Sequence, residues 1–207
     1  ALGVRLAAAL KVGSGRTALQ SSQASTILKA FPPQLAEAHS ALSNVAKSTV
    51  SKDGEHEARL KSLMEGLPVG NASHGRVLFH TNRATCSLCH RVLGQGGTLG
   101  PDLSKIGGIR NRRDLLEAIV FPNATVVNGY ENYLIETTGG RSHVGLIQRQ
   151  TPQAVYLKNV ALREERVDRG KIVKMQMAPL SAMPVGLDQV LSPSQLADLV
   201  AFLQSCR

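Results

Sequence analysis

The sequence predicts a mainly α protein with a small antiparallel β-sheet inserted into a helical domain. Apolar residues recur at helical spacing through residues 1–70, and the capping box of Ser192 and Gln195 introduces a last helix near the C-terminus. Residues 130–175 have a different pattern, in which short runs of β-branched and aromatic residues are separated by turn signals. With 43% apolar residues among 207, the chain can form the core of one large domain or two small ones.

Residues 1–70 are predicted to form a helical leader. Pro32-Pro33 separates two short helices, and Asp53 is a suitable cap for a further helix that ends near Gly66. Short helices joined by brief loops are typical of the end of an αα-repeat array, and equally of a plain helical linker or cap. The second predicted domain is residues 71–207, with the β-rich insertion at about 130–175.

The elements of the second domain are predicted from caps and hydrophobic patterns. Ser73 is a suitable cap for a helix over 74–79, and Asn111 for a helix over 112–120. Four strands are predicted, over 133–137, 144–147, 155–157 and 172–175. The mixed charges of residues 163–166 favour a solvated hairpin region.

A Cys-x-x-Cys-His motif, formed by Cys86, Cys89 and His90, carries the strongest chemical signal in the sequence. This spacing is the attachment signature of c-type haem, in which two thiols add across the haem vinyl groups and the histidine becomes an axial iron ligand. A zinc knuckle would need two more Cys or His ligands at short spacing, and a redox dithiol a surrounding βαβ pattern. We therefore interpret the motif as the site of one covalently attached haem c. The glycine-rich residues 94–103 that follow allow the backbone to approach a flat ligand closely.

The formal net charge is +9, and the densest basic run surrounds the cysteine motif. Its members are Arg83, Arg91, Lys105, Arg110, Arg112 and Arg113, against Asp102 alone. Such a surface would steer a redox partner with an acidic docking surface, although a solvated basic surface explains the charge equally well. Nucleic-acid binding is disfavoured, because the basic residues lack interleaved aromatics and a nucleic-acid motif.

Three further features of the sequence bear on the cellular location of the protein and on disulfide formation. No stretch of the sequence approaches the ~18 consecutive apolar residues of a membrane span. The third cysteine, Cys206, is interpreted as an unpaired thiol without a role. Because c-type haem is attached outside the cytoplasm, we expect a periplasmic or otherwise extracytoplasmic protein. Since residues 1–10 do not form a convincing signal peptide, we expect the chain to be the C-terminal piece of a longer one.

Several motifs follow one another in a characteristic order along residues 71–207. They are Gly75 and Phe79 in a helix, Cys86-x-x-Cys89-His90, Gly100-Pro101-x-Leu103, Met183-Pro184, and Ala201-Phe202-Leu203 in a closing helix. In this combination the chain resembles class I cytochrome c, and more closely the haem-binding domain type of planctomycetes and verrucomicrobia. In that family a β-rich insertion separates the third helix from the methionine loop, and the domain often closes a long secreted protein with helical repeats and a dehydrogenase-like propeller.

The resemblance implies the cytochrome c fold and a role for each matching residue. His90 would be the proximal ligand, and the Pro101 carbonyl would orient its ring by accepting the imidazole N–H. Leu103 would pack against the haem, and Met183 would be the distal ligand. Met183 is also favoured by its place before a proline and outside a strong helix or strand pattern.

Other candidates for the sixth ligand are weaker. Met175 closes a strand pattern and is expected in the core, Met177 lies close to it, and Met64 lies on a helix face. His143 would give a bis-histidine haem with a lower potential. An iron left open at this position would indicate a haem enzyme or a gas or redox sensor.

The expected function is therefore that of a monohaem c-type cytochrome domain that carries single electrons and is not itself an enzyme. We expect the donor to be an extracytoplasmic dehydrogenase, either separate or upstream in the same chain, and the acceptor to be another carrier. The alternative is the haem enzyme or sensor with an exchangeable sixth ligand.

Overall fold

The computed structural model describes residues 54–81, 84–178 and 180–207. The chain divides into two compact units, Ala1–Ser62 and Leu63–Arg207. The helices predicted within residues 1–53, including the Asp53 cap, lie outside the described residues. The next predicted helix is confirmed, because residues 54–66 are helical.

Two kinds of structure make up the second unit, and we call the first the helical part. Its helices are α1 (Ala72–His80), α2 (Cys86–Cys89), α3 (Arg112–Val120), α4 (Leu187–Val190) and α5 (Pro193–Ser205). A short hairpin of β1 (Arg91–Val92) and β2 (Gln95–Gly96) and a 3₁₀ turn (Ile106–Gly108) connect α2 to α3.

The helix caps follow from side-chain hydrogen bonds. The capping box of α5 is confirmed, with Gln195 N 3.2 Å from Ser192 Oγ and Ser192 N 3.0 Å from Gln195 Oε1. Asn111 caps α3 as predicted. The predicted Ser73 cap of α1 is wrong, because Asn71 Oδ1 accepts hydrogen bonds from the backbone N–H groups of Ser73 and His74. The helix therefore begins two residues earlier than expected.

Helices α1 and α5 cross at close range. A Cβ on Gly75 would lie 1.9 Å from the Asp198 carbonyl oxygen, so only glycine permits this approach. One turn later the rings of Phe79 and Phe202 pack with centroids 5.5 Å apart. Asn71 N donates to Asp198 Oδ1 at 2.6 Å, which ties the start of α1 to the same turn of α5.

The second kind of structure is a five-stranded antiparallel sheet, which we call the sheet part. Its strands are β3 (Asn132–Thr137), β4 (Ser142–Gln150), β5 (Ala154–Lys158), β6 (Glu164–Asp168) and β7 (Ile172–Met177), in the order β6-β5-β4-β3-β7. The four predicted strands are present, and the predicted solvated hairpin region at 163–166 lies in the β5–β6 hairpin, where Glu164–Asp168 forms a fifth strand. With this sheet and the β1–β2 hairpin beside the helices, the expectation of a mainly α fold is wrong, and the fold is of the α/β class.

The sheet part curves and closes its own core. Strands β6 and β7 are its opposite edges, yet Asp168 and Ile172 are only four residues apart. In a flat sheet those edges would be about 19 Å apart, whereas four residues span at most about 14 Å. The sheet must therefore bend, and its concave side buries the cluster Ile135, Val155, Leu157 and Val167. The expectation that Met175 lies in the core is wrong, because it is 38% exposed.

Candidate functional site

A cleft of about 1480 Å³, including the space at its open mouth, lies in the helical part. The six predicted site residues all line it: Cys86, Cys89, His90, Pro101, Leu103 and Met183. They come from segments almost a hundred residues apart in sequence. The fold thus brings the cysteine motif and the methionine loop to one cavity.

Cys86 and Cys89 lie on the single turn of α2, three residues apart and therefore on one face. Thr85 enters this turn with φ 53°, in the left-handed region, and His90 N donates to Cys86 O at 2.8 Å as the chain leaves it. Both thiols are free. Burial raises the pKa of Cys86 to about 11, and burial also raises the pKa of Cys89, an effect that the nearby Lys158 ammonium opposes. Both thiols are therefore protonated near neutral pH, whereas a redox dithiol needs a lowered pKa.

The His90 ring has one nitrogen engaged by the protein. Its Nδ1 lies 2.9 Å from the Pro101 carbonyl oxygen, and because a carbonyl only accepts, Nδ1 carries the hydrogen. Burial lowers the pKa of His90, although the hydrogen bond to Pro101 opposes this. The neutral ring then has a lone pair on Nε2, which is the form that binds iron.

The glycine-rich loop packs directly on the cysteine–histidine segment. A Cβ on Gly100 would lie 2.5 Å from His90 Cε1, and one on Gly97 would lie 1.9 Å from the Leu88 carbonyl oxygen. Gly97 N and Gly100 N donate to Ser87 O and Cys89 O, each at 2.8 Å. These glycines hold the backbone against the motif and the imidazole. Within this glycine-rich stretch, Gln95–Gly96 forms β2.

Met183 lies on a loop without helix or strand and is partly buried. Its backbone N donates to Ser181 Oγ at 3.1 Å. The alternative ligands lie elsewhere: Met64, Met175 and Met177 do not line the cleft, and His143 Nδ1 is 2.7 Å from Glu165 Oε2 in the sheet part. Of the four methionines, all within the described residues, Met183 is the one at the cleft.

Much of the cleft wall was missed by sequence reasoning. The side chains beyond the motif residues are mainly apolar, and many of them come from α3 and the segment after it, including Leu115, Ile119, Phe121, Val126 and Tyr130. The helical spacing of Leu115 and Ile119 in α3 indicates that both lie on one apolar face, so the sequence contained a signal for these two residues. The loop over 121–130 has no periodic pattern that could have assigned its residues to the wall.

The basic run has one member at the cleft. Arg110 is exposed and lines the cleft mouth, whereas Arg112 donates to the Leu67 carbonyl oxygen at 3.5 Å and Arg113 pairs with Glu117 at 3.6 Å. Arg83 lies outside the described residues. Part of the charge near the cleft is therefore paired within the protein, and Arg110 is a cation placed to meet a ligand or partner there.

No protein-family model matches the chain, and no curated protein matches its sequence. Within the described ranges, no helix is both long and apolar enough to cross a membrane. The same part of the chain contains no cluster of three or more His, Cys, Asp or Glu side chains arranged to hold a metal ion.

Proposed function

We propose that this chain is a c-type haem domain related to class I cytochrome c, which carries single electrons between an extracytoplasmic dehydrogenase and a downstream acceptor. One observation carries the proposal. The two cysteines and the histidine of the motif line the same apolar cleft as Met183, with His90 held through Nδ1 so that Nε2 is the free ligand atom.

The residues present fit one haem c. Cys86 and Cys89 would bind it covalently from one helical turn, and the mainly apolar lining would exclude water from both faces. Gly100 lies close against the imidazole and leaves room that a side chain would take. When bound, haem c supplies an iron that takes up and releases one electron, and a His/Met ligand pair favours its ferrous state. The protein itself would keep His90 and Met183 in place in both the oxidised and the reduced state of the iron.

The partners follow from the charge at the cleft. Arg110 at its mouth, within a protein of net charge +9, suits a redox partner with an acidic surface. We propose a dehydrogenase as the donor, separate or upstream in the same polypeptide. A periplasmic or similar location follows from the chemistry of haem attachment.

Covalent haem attachment is tested by producing the chain together with a c-type cytochrome maturation system. Denaturing mass spectrometry should show one added haem, which is retained in Cys206→Ala and lost in the Cys86→Ala/Cys89→Ala double variant. Cys206 is the matched control, because it is buried elsewhere, with Sγ 3.4 Å from Phe202 O. Haem that is released on denaturation of the wild type would contradict the proposal.

An electron carrier and a haem enzyme or sensor differ in the sixth ligand position of the iron, which we assign to Met183. The oxidised protein should show a methionine–iron charge-transfer band that is lost in Met183→Ala and kept in Met177→Ala, whose side chain is exposed on β7. Rapid carbon monoxide binding by the reduced wild type, with no spectral change in Met183→Ala, would instead support the haem enzyme or sensor.

A further inference from the structure

The segment that presents Met183 has no helix or strand to hold it. Residues 178–186 lie between β7 and α4, and the described residues among them are turn, bend or irregular. Their position is fixed instead by side chains from outside the segment. Two asparagines, one from the sheet part and one from the loop that follows α3, provide these contacts.

Asn132 is the first residue of β3 and is only 5% exposed. Its Nδ2 donates to the Leu180 carbonyl oxygen at 3.1 Å, and its backbone oxygen accepts from Ala178 N at 2.8 Å. Its Oδ1 is buried and accepts no hydrogen bond from the described residues. Burying an amide with one atom unpaired costs free energy, so an apolar residue would serve a purely structural strand better here.

Asn123 holds the same segment through a second hydrogen bond. It follows α3, and its Oδ1 accepts from Ser181 N at 2.7 Å. Ser181 Oγ in turn accepts from Met183 N at 3.1 Å. Hydrogen bonds thus connect Asn123 through Ser181 to the backbone of Met183. Asn132 holds Leu180, the residue before Ser181.

We propose that Asn132 and Asn123 are positioning residues for Met183, and that the sheet part is the anchor of the methionine loop. The inference rests on the proposed function, because it takes Met183 as the distal ligand. A neutral thioether binds without the help of charge, so the fixed position of its loop decides how well it competes with other ligands. Loss of one of these hydrogen bonds therefore weakens the arrangement in which Met183 lies at the cleft. By this argument, the sheet part contributes to the site through the backbone of the loop.

The test is a titration of the oxidised holoprotein with imidazole, which must displace Met183 to bind. Asn132→Leu should raise the apparent imidazole affinity about tenfold, the ratio expected for loss of ~1.4 kcal/mol. Asn123→Ala should raise it by a smaller factor, because Asn123 is exposed and water can replace its oxygen. The midpoint of urea unfolding is measured on each variant.

The control is Asn159→Leu, the same change in the same sheet. The Asn159 side chain is likewise hydrogen-bonded: its Oδ1 accepts from Ala161 N and Arg163 N, and its Nδ2 donates to Glu165 Oε1, but none of these bonds reaches the methionine loop. It should lower the urea midpoint and leave the imidazole affinity unchanged. Equal imidazole affinity in Asn132→Leu and Asn159→Leu would overturn the inference.

Two outcomes keep the inference separate from the proposed function. If Asn132→Leu does not fold, Asn123→Ala and Ser181→Ala decide the question, and wild-type imidazole affinity in both overturns it. A wild type with covalent haem and no methionine–iron band would overturn the ligand assignment itself, and this inference with it. A wild type with that band, together with unchanged affinity in all variants, would overturn the anchoring role alone.

Discussion

The helical part and the sheet part fill their interiors in different ways. In the sheet part Ile135, Val155 and Leu157 are 0% exposed, and they are buried by neighbours of the same curved sheet. The helical part packs α1 firmly on α5 but leaves an apolar cleft of about 1480 Å³ beside the cysteine motif. The comparison teaches that the sheet part is complete with its own residues, whereas the helical part has apolar walls that a bound group would cover.

The largest effect is expected from removing both thiols that we propose as haem attachment sites, Cys86 and Cys89. In the Cys86→Ala/Cys89→Ala variant, the walls of the cleft face water, and we expect the helical part to lose order while the sheet part keeps it. Hydrogen exchange should accelerate at least about a hundredfold for amides of α5, equivalent to ~2.7 kcal/mol, and little for those of β5. Cys206→Ala is the control. Equal protection of α5 in the variant and the wild type would remove the distinction between the two parts.

The second expected effect lies in the sheet part. Leu157→Ala removes a fully buried side chain from the cluster on the concave side and should lower the free energy of unfolding by about 2–5 kcal/mol, measured in urea. Because its cluster is built from the sheet alone, the absorption spectrum of the folded variant should stay that of the wild type.

The control for this prediction is Val160→Ala, at a residue that is 69% exposed in the turn after β5. It should change the stability by no more than about 0.5 kcal/mol. If Leu157→Ala altered the haem spectrum as strongly as it altered stability, the sheet core and the cleft would be one cooperative structure, contrary to the comparison.

Local signals in the sequence predicted many elements of both parts but not how they are assembled. Caps at Asn111 and Ser192 and the alternation of β3 to β5 are short-range features, so each could be recognised from neighbours in sequence. Strand β6 was missed because Glu164–Asp168 is charged, with Val167 as its one buried side chain. Its place in the sheet depends on pairing with β5, which no local pattern records. Because β6 was missed, the sequence underestimated the amount of β structure, and the fold was wrongly predicted to be mainly α.

The candidate site shows the same limit. The cysteine motif is a local signal, and the structure places all six predicted residues at one cleft. The walls from residues 121–130 and the anchoring bonds of Asn123 and Asn132 could not be predicted, because they join segments about 50 residues apart. Polar residues at a strand start or after a helix carry no sign of the distant backbone atom that they bind.

A third prediction concerns the packing that the helical part has without a ligand. Gly75→Ala places a methyl group 1.9 Å from the Asp198 carbonyl oxygen, so α1 and α5 must separate. We expect a loss of about 1–3 kcal/mol in urea unfolding, with the sheet part unaffected. Gly66→Ala is the control, because a Cβ there meets nothing within 4 Å. Equal stability of the two variants would mean that the crossing is looser than its contacts indicate.

The smallest expected effect is a pH dependence confined to the sheet part. Hydrogen bonds from His143 and Asn159 hold the pKa of Glu165 below its usual 4.5. A carboxyl with a lowered folded pKa stabilises the protein above the unfolded pKa, and this contribution is lost as the pH falls through the folded pKa. Glu165→Gln should therefore lower the stability at pH 7 by less than about 1 kcal/mol, because the pair is partly exposed, and by a smaller amount at pH 3, which lies below the usual pKa of 4.5.

The measurement is urea unfolding of wild type and Glu165→Gln at both pH values, at low and high salt. The difference at pH 7 should shrink with salt, since screening weakens a partly exposed pair. Glu164→Gln, next to it on β6 and 3.5 Å from Arg149, is the matched control for loss of one surface carboxylate. A variant difference as large at pH 3 as at pH 7 would show that the amide alters packing rather than charge. A change in the methionine–iron band of Glu165→Gln would show that the charge network of the sheet part reaches the cleft, and that the two parts are coupled electrostatically as well as through the anchored loop.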